Sequence, residues 1–151
     1  MRLEDRLRVY IDADVLLAGL ATENSQAASR GILEASELTL LDLVAGQRVL
    51  DECERNLSDL ASEVAALEEL RRSLQAAVSR TVEVVDDPTS LPSVEGADPK
   101  DEIHLACAVD HECDFLVTYN IGDYPRSYHG VGVVEPGTLV RRIREQIREL
   151  G

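Results

Sequence analysis

Four groups of acidic residues stand where an apolar run gives way to polar chain. Val9-Tyr10-Ile11 runs into Asp12-Ala13-Asp14, and Arg48-Val49-Leu50 runs into Asp51-Glu52. Asp98-Pro99-Lys100-Asp101-Glu102 precedes an apolar segment, and Phe115-Leu116-Val117-Thr118 leads into Asn120 and Asp123. Carboxylates gathered in one place repel one another unless a cation sits among them. Hard oxygen donors of this kind suit Mg²⁺ or Mn²⁺. The pattern points to a metal-dependent enzyme acting on phosphate esters, with the polar groups of these four clusters as the candidate site residues.

The elements that must carry these groups follow from the apolar spacing. Residues 7–11 read as a first strand with Asp12 at its carboxyl end. A helical turn is expected over 15–20, and Asn24 or Ser25 is the expected cap of a helix running to about Ala35. A second strand is expected over 38–43 and a helix over 48–57. Leu57, Leu60, Val64, Leu67, Leu70, Leu74 and Val78 recur at spacings of three and four, the mark of one amphipathic helix or two. Strands are expected over 82–85, 115–118 and 131–134, and a helix over 101–110. Residues 87–98 read as a loop. Pro136 opens a closing helix whose buried stripe is Leu139, Ile143, Ile147 and Leu150. Strands alternating with helices predict an α/β chain: a three-layer α/β/α sandwich around a central, mostly parallel sheet. In such sheets, sites form beyond the carboxyl ends of the strands. Asp12, Asn120 and Asp123 fall there, and Asp101 opens a helix whose dipole favours a carboxylate.

Composition narrows the functional classes. The 151 residues carry 29 acids against 15 bases, a formal charge of −14. Such a surface repels nucleic acid at long range, which counts against a passive nucleic-acid binder. A divalent-ion enzyme escapes that objection, because the ion bridges carboxylate to phosphate. The same charge suits a basic protein partner. Cys53, Cys107 and Cys113 form an odd set without a CxxC pair and are expected to be free buried thiols. No run approaches the ~18 apolar residues of a membrane span, and the first residues are charged throughout. The expectation is one domain over residues 1–151, soluble and cytoplasmic, without a membrane partner.

The ordered motifs resemble the PIN-domain nucleases over nearly the whole chain. VYIDADVLLAGL resembles that family's opening strand and its Asp-x-Asn/Asp signature. VLDECERNL resembles its glutamate-bearing helix, mapping the glutamate to Glu52. DPKDEIHLACAVDHECDFLVTYNIGDYP resembles its third and fourth elements, with Asp101 starting the helix, and VVEPGTLVRRI its closing strand, proline and helix. The resemblance implies Mg²⁺- or Mn²⁺-dependent hydrolysis of RNA phosphodiesters, with Asp12, Glu52, Asp101 and Asp123 holding metal. Asp14 stands where the family often has Asn, and Asn120 where many members have Asp. Either Asn120 or Asp123 completes the site, with Asp123 favoured for metal. Asp14, Thr118 and Asn120 would then position substrate or outer ligands. The resemblance further implies a toxin restrained by an antitoxin protein.

Other readings compete. Asp12-Ala13-Asp14-Val15 also fits the opening of a haloacid-dehalogenase-type phosphatase, but Asp86-Asp87 precede Lys100, the wrong order for that family. The leucine stripe over 57–78 is a candidate homodimer face on a non-catalytic module, against core packing. His104, Cys107 and His111 share a helical face, but an i to i+7 separation of ~10 Å is too long for one zinc. Tyr119, Tyr124 and Tyr128 flank the fourth acidic group and are candidates for base stacking. Arg126 is a candidate phosphate contact.

Overall fold

A computed structural model describes residues 6–21, 27–60, 63–88 and 97–150. β1 (Leu7–Ile11) leads into helices α1 (Ala13–Ala21) and α2 (Ala28–Glu37), then β2 (Leu41–Gly46). Helices α3 (Gln47–Leu60) and α4 (Val64–Thr81) connect to β3 (Val82–Val85). A 3₁₀ turn (Pro99–Asp101) opens α5 (Glu102–Asp110), followed by β4 (Phe115–Val117) and a second 3₁₀ turn (Ile121–Asp123). β5 (Ser127–Tyr128), β6 (Val131–Val134) and α6 (Pro136–Leu150) complete the described chain.

The strands form one sheet in the order β3-β2-β1-β4-β6-β5 among the described residues. All pairings are parallel except β5 with β6. The chain winds from β1 outward through β2 to β3, then crosses back to add β4 on the other side of β1. Because parallel crossovers are right-handed, that reversal puts the later connection on the opposite face. α5 accordingly packs on β1, β2, β4 and β6, while α1, α2, α3, α4 and α6 pack among themselves. The result is the three-layer sandwich expected from the sequence. β1 lies at its centre, covered on both faces, which is why Val9, Tyr10 and Ile11 are all buried instead of alternating.

Several boundaries differ from the sequence reading. The 57–78 stripe is divided between α3 and α4. Leu57 and Leu74 enter the core, whereas Val64, in the first turn of α4, is 77% exposed. Ile147 is also exposed. β2 begins three residues later than expected, because Leu38 and Thr39 close α2, and their N–H groups bond Glu34 and Ser36 carbonyls. Ala27 stands at the N-cap of α2 without a side-chain cap, and Asn24 and Ser25 lie outside the described residues. β5 was not anticipated. Its two residues are too short to show a period, and it exists because Val131 and Gly132 offer an antiparallel edge. The three cysteines are free and buried, as expected.

Gly46 ends β2 where the backbone passes close to three side chains. A Cβ there would collide with the Asp87 carboxylate, lie 3.0 Å from the Tyr10 hydroxyl and 3.3 Å from Cys107 Sγ. Gly46→Ala should destabilise the protein by about 1–3 kcal/mol through overpacking. Gly137, in the first turn of α6 with open space around it, should tolerate alanine and gain up to about 1 kcal/mol. Denaturant midpoints of the two variants check the contrast. Equal effects would contradict it.

Candidate active site

The reversal of winding lies between β1 and β4, and the gap beyond their carboxyl ends is the expected place for a site. Ile11 pairs with Val117, so Asp12 and Thr118 leave the sheet side by side. The Asp12 N–H donates to the Val117 carbonyl (3.1 Å). Asp12 Oδ2 accepts from the Thr118 hydroxyl (2.9 Å) and the Tyr124 hydroxyl (3.3 Å), while Oδ1 accepts from the Ala13 N–H (2.8 Å). This carboxylate is 6% exposed and cannot rotate away without losing those bonds.

Asp14 lies in the first turn of α1 and binds the chain after β4. Its Oδ2 accepts from the Tyr119 N–H (3.1 Å) and from Asn120 Nδ2 (3.0 Å). Its Oδ1 is buried without a protein hydrogen-bond partner. Two turns bring in the remaining acids. Asp98 caps the first by accepting the Lys100 N–H (3.2 Å), and its own N–H donates to the Asp123 carbonyl (2.9 Å). That bond ties the turn bearing Asp101 to the turn bearing Asp123. Glu52 arrives from α3, which is held against α1 by Cys53, whose thiol lies 3.9 Å from the Ala13 carbonyl.

One pocket of about 690 Å³ is lined by Asp12, Asp14, Glu52, Asp101, Asn120 and Asp123. Arg48, Arg55 and Lys100 also line it. Thr118 does not reach the pocket wall, and acts on it through Asp12. Arg126 is exposed on the strand side of the turn, and its carbonyl accepts from the Val133 N–H. It stands apart from the pocket lining, so its side chain is not placed as a phosphate contact. Tyr124 is buried against Asp12, which removes it as a stacking platform, whereas Tyr119 is 47% exposed beside Asn120.

The sequence reading gave three groups no role at this site: His104, the cations Arg48 and Arg55, and Tyr124 as a partner of Asp12. His104 is fully buried, with Nε2 3.1 Å from Glu52 Oε1 and Nδ1 3.0 Å from the Tyr10 hydroxyl. Ligand atoms of Asp12, Glu52 and His104 lie within 4.8 Å of one another. The signal was available: His104 follows Asp101 by three residues, so both share a helical face. Likewise Arg48, Glu52 and Arg55 are spaced by four and three, which places two cations beside the glutamate. Tyr124 carried no such signal, because its contact with Asp12 comes from the turn.

Charge crowding leaves its mark on proton affinity. Burial, and then the charge of Asp12, push the Asp14 carboxyl up to about 6. The same two causes push Asp101 up to about 6. The hydrogen bond from His104 holds Glu52 below the ordinary glutamate value. Burial alone would lower His104, but the bond to Glu52 and the charges of Asp12, Glu52 and Asp101 outweigh it and raise the imidazole. A divalent cation fits this donor set. It would satisfy the partnerless Asp14 oxygen directly or through water, and would compensate carboxylates that otherwise favour protons.

The model of the PIN domain matches residues 8–122 of the chain. The chain belongs to the PIN-domain nuclease family. Membership leaves the phosphatase reading without support. Among solved structures, PAE2754 from Pyrobaculum aerophilum is similar over 92% of this chain and 96% of its own, with a TM-score of 0.65 and 20% identity. VapBC2 from Rickettsia felis, solved bound to a DNA fragment from their promoter, is similar over 85% and 98%, with a TM-score of 0.59 and 14% identity. At those identities the likeness concerns the PIN fold. No curated protein sequence matches the chain at a significant level. No helix among the described residues is long and apolar enough to cross a membrane.

The proton affinities give a stability profile. Asp14 and Asp101 hold protons more tightly folded than unfolded, so the folded state becomes less stable as pH rises from about 4 through 6. His104, also raised, loses its contribution as pH rises beyond its ordinary 6.5. Glu52 acts oppositely, and its contribution is lost as pH falls below its ordinary 4.5. Without divalent ions, the melting temperature should decline from pH ~5 toward pH ~8. Asp14→Asn should flatten the decline. A melting temperature that climbs steadily over that interval would contradict the charge assignment.

Proposed function

We propose that this PIN domain is a divalent-metal-dependent ribonuclease that hydrolyses RNA phosphodiester bonds. The observation that carries the reading is the convergence of Asp12, Glu52, Asp101 and Asp123 on one pocket whose rim also bears cations. Asp12, Glu52, Asp101 and Asp123 would hold Mg²⁺ or Mn²⁺. Such an ion, when bound, lowers the pKa of a coordinated water and offsets charge gathering on the phosphate.

The chain's own groups have separable tasks. Arg48 and Arg55 on α3 and Lys100 on the first 3₁₀ turn meet the phosphates flanking the scissile bond. They provide local attraction on a chain whose net charge of −14 repels RNA elsewhere. One of the pocket carboxylates takes the proton from the attacking water. The leaving sugar oxygen is then expelled and takes up a proton from solvent. Thr118 and Tyr124 keep Asp12 in one orientation. Asp14 fixes Tyr119 and Asn120 at the lip of the pocket, and Asn120 and Tyr119 orient the RNA strand.

The biological setting that suits these properties is the toxin half of a toxin–antitoxin pair in the cytoplasm. Family membership and the fold likeness to VapBC2 support it. A basic antitoxin would be attracted by the same charge that repels free RNA. The whole chain would act as one PIN-like domain, with homodimerisation a further property of the pair.

Incubating a mixed RNA pool with the protein and Mn²⁺ tests the activity. Wild type should cleave, chelation should stop it, and Asp12→Asn should lower the rate by at least about 100-fold. Glu145→Gln, on α6 away from the pocket, serves as the matched acid control. A folded wild type inert under these conditions would favour the non-catalytic module. Cleavage surviving Asp12→Asn would place the chemistry elsewhere.

A further inference from the structure

Behind the pocket wall lies a buried polar chain that ends on Glu52 and whose other members the proposed reaction does not use. The Gly46 N–H donates to the Tyr10 hydroxyl (3.3 Å), the hydroxyl lies 3.0 Å from His104 Nδ1, and Nε2 lies 3.1 Å from Glu52 Oε1. Tyr10 and His104 are both fully buried, Tyr10 in the central strand and His104 in α5 on the far face of the sheet. Glu52 is half-buried on α3, which packs on the other layer. The imidazole therefore links two layers of the sandwich at the site itself. A buried histidine with both nitrogens engaged is confined to one ring orientation. A glutamate side chain has three rotatable bonds, and restricting it carries an entropic cost that a fixed partner removes before a ligand arrives.

We propose that His104 is a positioning residue for the metal site, holding the Glu52 carboxylate beside Asp12 through its Nε2 while Tyr10 holds it from behind. The proposal rests on the metal-dependent reading above. Two observations distinguish positioning from direct ligation. His104 is absent from the pocket lining, whereas Glu52 and Asp12 are both on it. Both imidazole nitrogens already have protein partners. His104 acts on any bound ion only by fixing Glu52.

Replacement by the two amides separates the roles. Glutamine places its amide nitrogen near the position of Nε2 and reaches Glu52. Asparagine reaches only the position of Nδ1 and keeps a partner for Tyr10. Mn²⁺ affinity is measured calorimetrically on the RNA-free protein, with circular dichroism reporting the fold. His104→Asn should weaken binding by about 10–100-fold, the usual cost of losing a group that orients a ligand. His104→Gln should stay within a few-fold of wild type. Tyr10→Phe, which keeps the ring and its packing, should weaken binding by a smaller factor. Equal Mn²⁺ affinity in wild type, His104→Asn and Tyr10→Phe would overturn the positioning role while leaving the metal reading intact. Equal weakening by Asn and Gln would overturn it too, since the imidazole nitrogen itself would then be the ligand. Absence of Mn²⁺ binding to wild type would overturn the metal reading and this inference with it.

Discussion

Asp12, Asp14 and Asp101 share a half-buried pocket in which burial and mutual repulsion raise the proton affinity of Asp14 and Asp101. Carboxylates so placed cost stability unless something opposes their charge. The surrounding structure holds them together regardless. The β1–β4 pairing fixes Asp12 beside Thr118, the Asp98–Asp123 backbone bond joins two turns, and His104 restrains Glu52. The first two contacts neutralise no charge, and His104 opposes only part of it. They keep oxygen donors in place for a cation, the arrangement expected where stability is given up locally for binding.

The topology explains why this sheet, and this point on it, carries the acids. Winding outward from β1 in both directions leaves a gap only at the reversal, and only there do two adjacent strand ends diverge to opposite layers. α1, following β1, contributes Asp14. α5, from the opposite layer, opens beside Asp101. A site at the edge of the sheet could not draw side chains from both layers at once. The short length of β4 matters for the same reason: the strand stops at Val117, freeing Thr118 to turn toward Asp12.

Much of this was legible in the residues. β1 coincides with an apolar run because a buried parallel strand lacks polar alternation, whereas β3 and β6, only partly buried, were marked by short valine-rich runs. Asp12 and Asp101 were identifiable from their places at a strand end and a helix start. What escaped depended on distance in sequence. His104 and Glu52 are separated by 52 residues, and a lone histidine within LACAV-type apolar chain reads first as core. The division of α3 from α4 was hidden because the leucine spacing runs on across the break. Tyr124, a candidate for stacking in the sequence, is folded inward by its turn, and Arg126 is absent from the pocket lining.

The central claim is that these carboxylates hold a divalent cation, and metal binding to groups that retain protons must release them. Titrating wild type with Mn²⁺ near pH ~6 in two buffers of different ionisation enthalpy counts those protons. The account predicts measurable release near pH ~6, close to the raised values of Asp14 and Asp101, and much less near pH ~8, where both are already ionised. Binding without proton release near pH ~6, or no binding at either pH, would contradict it.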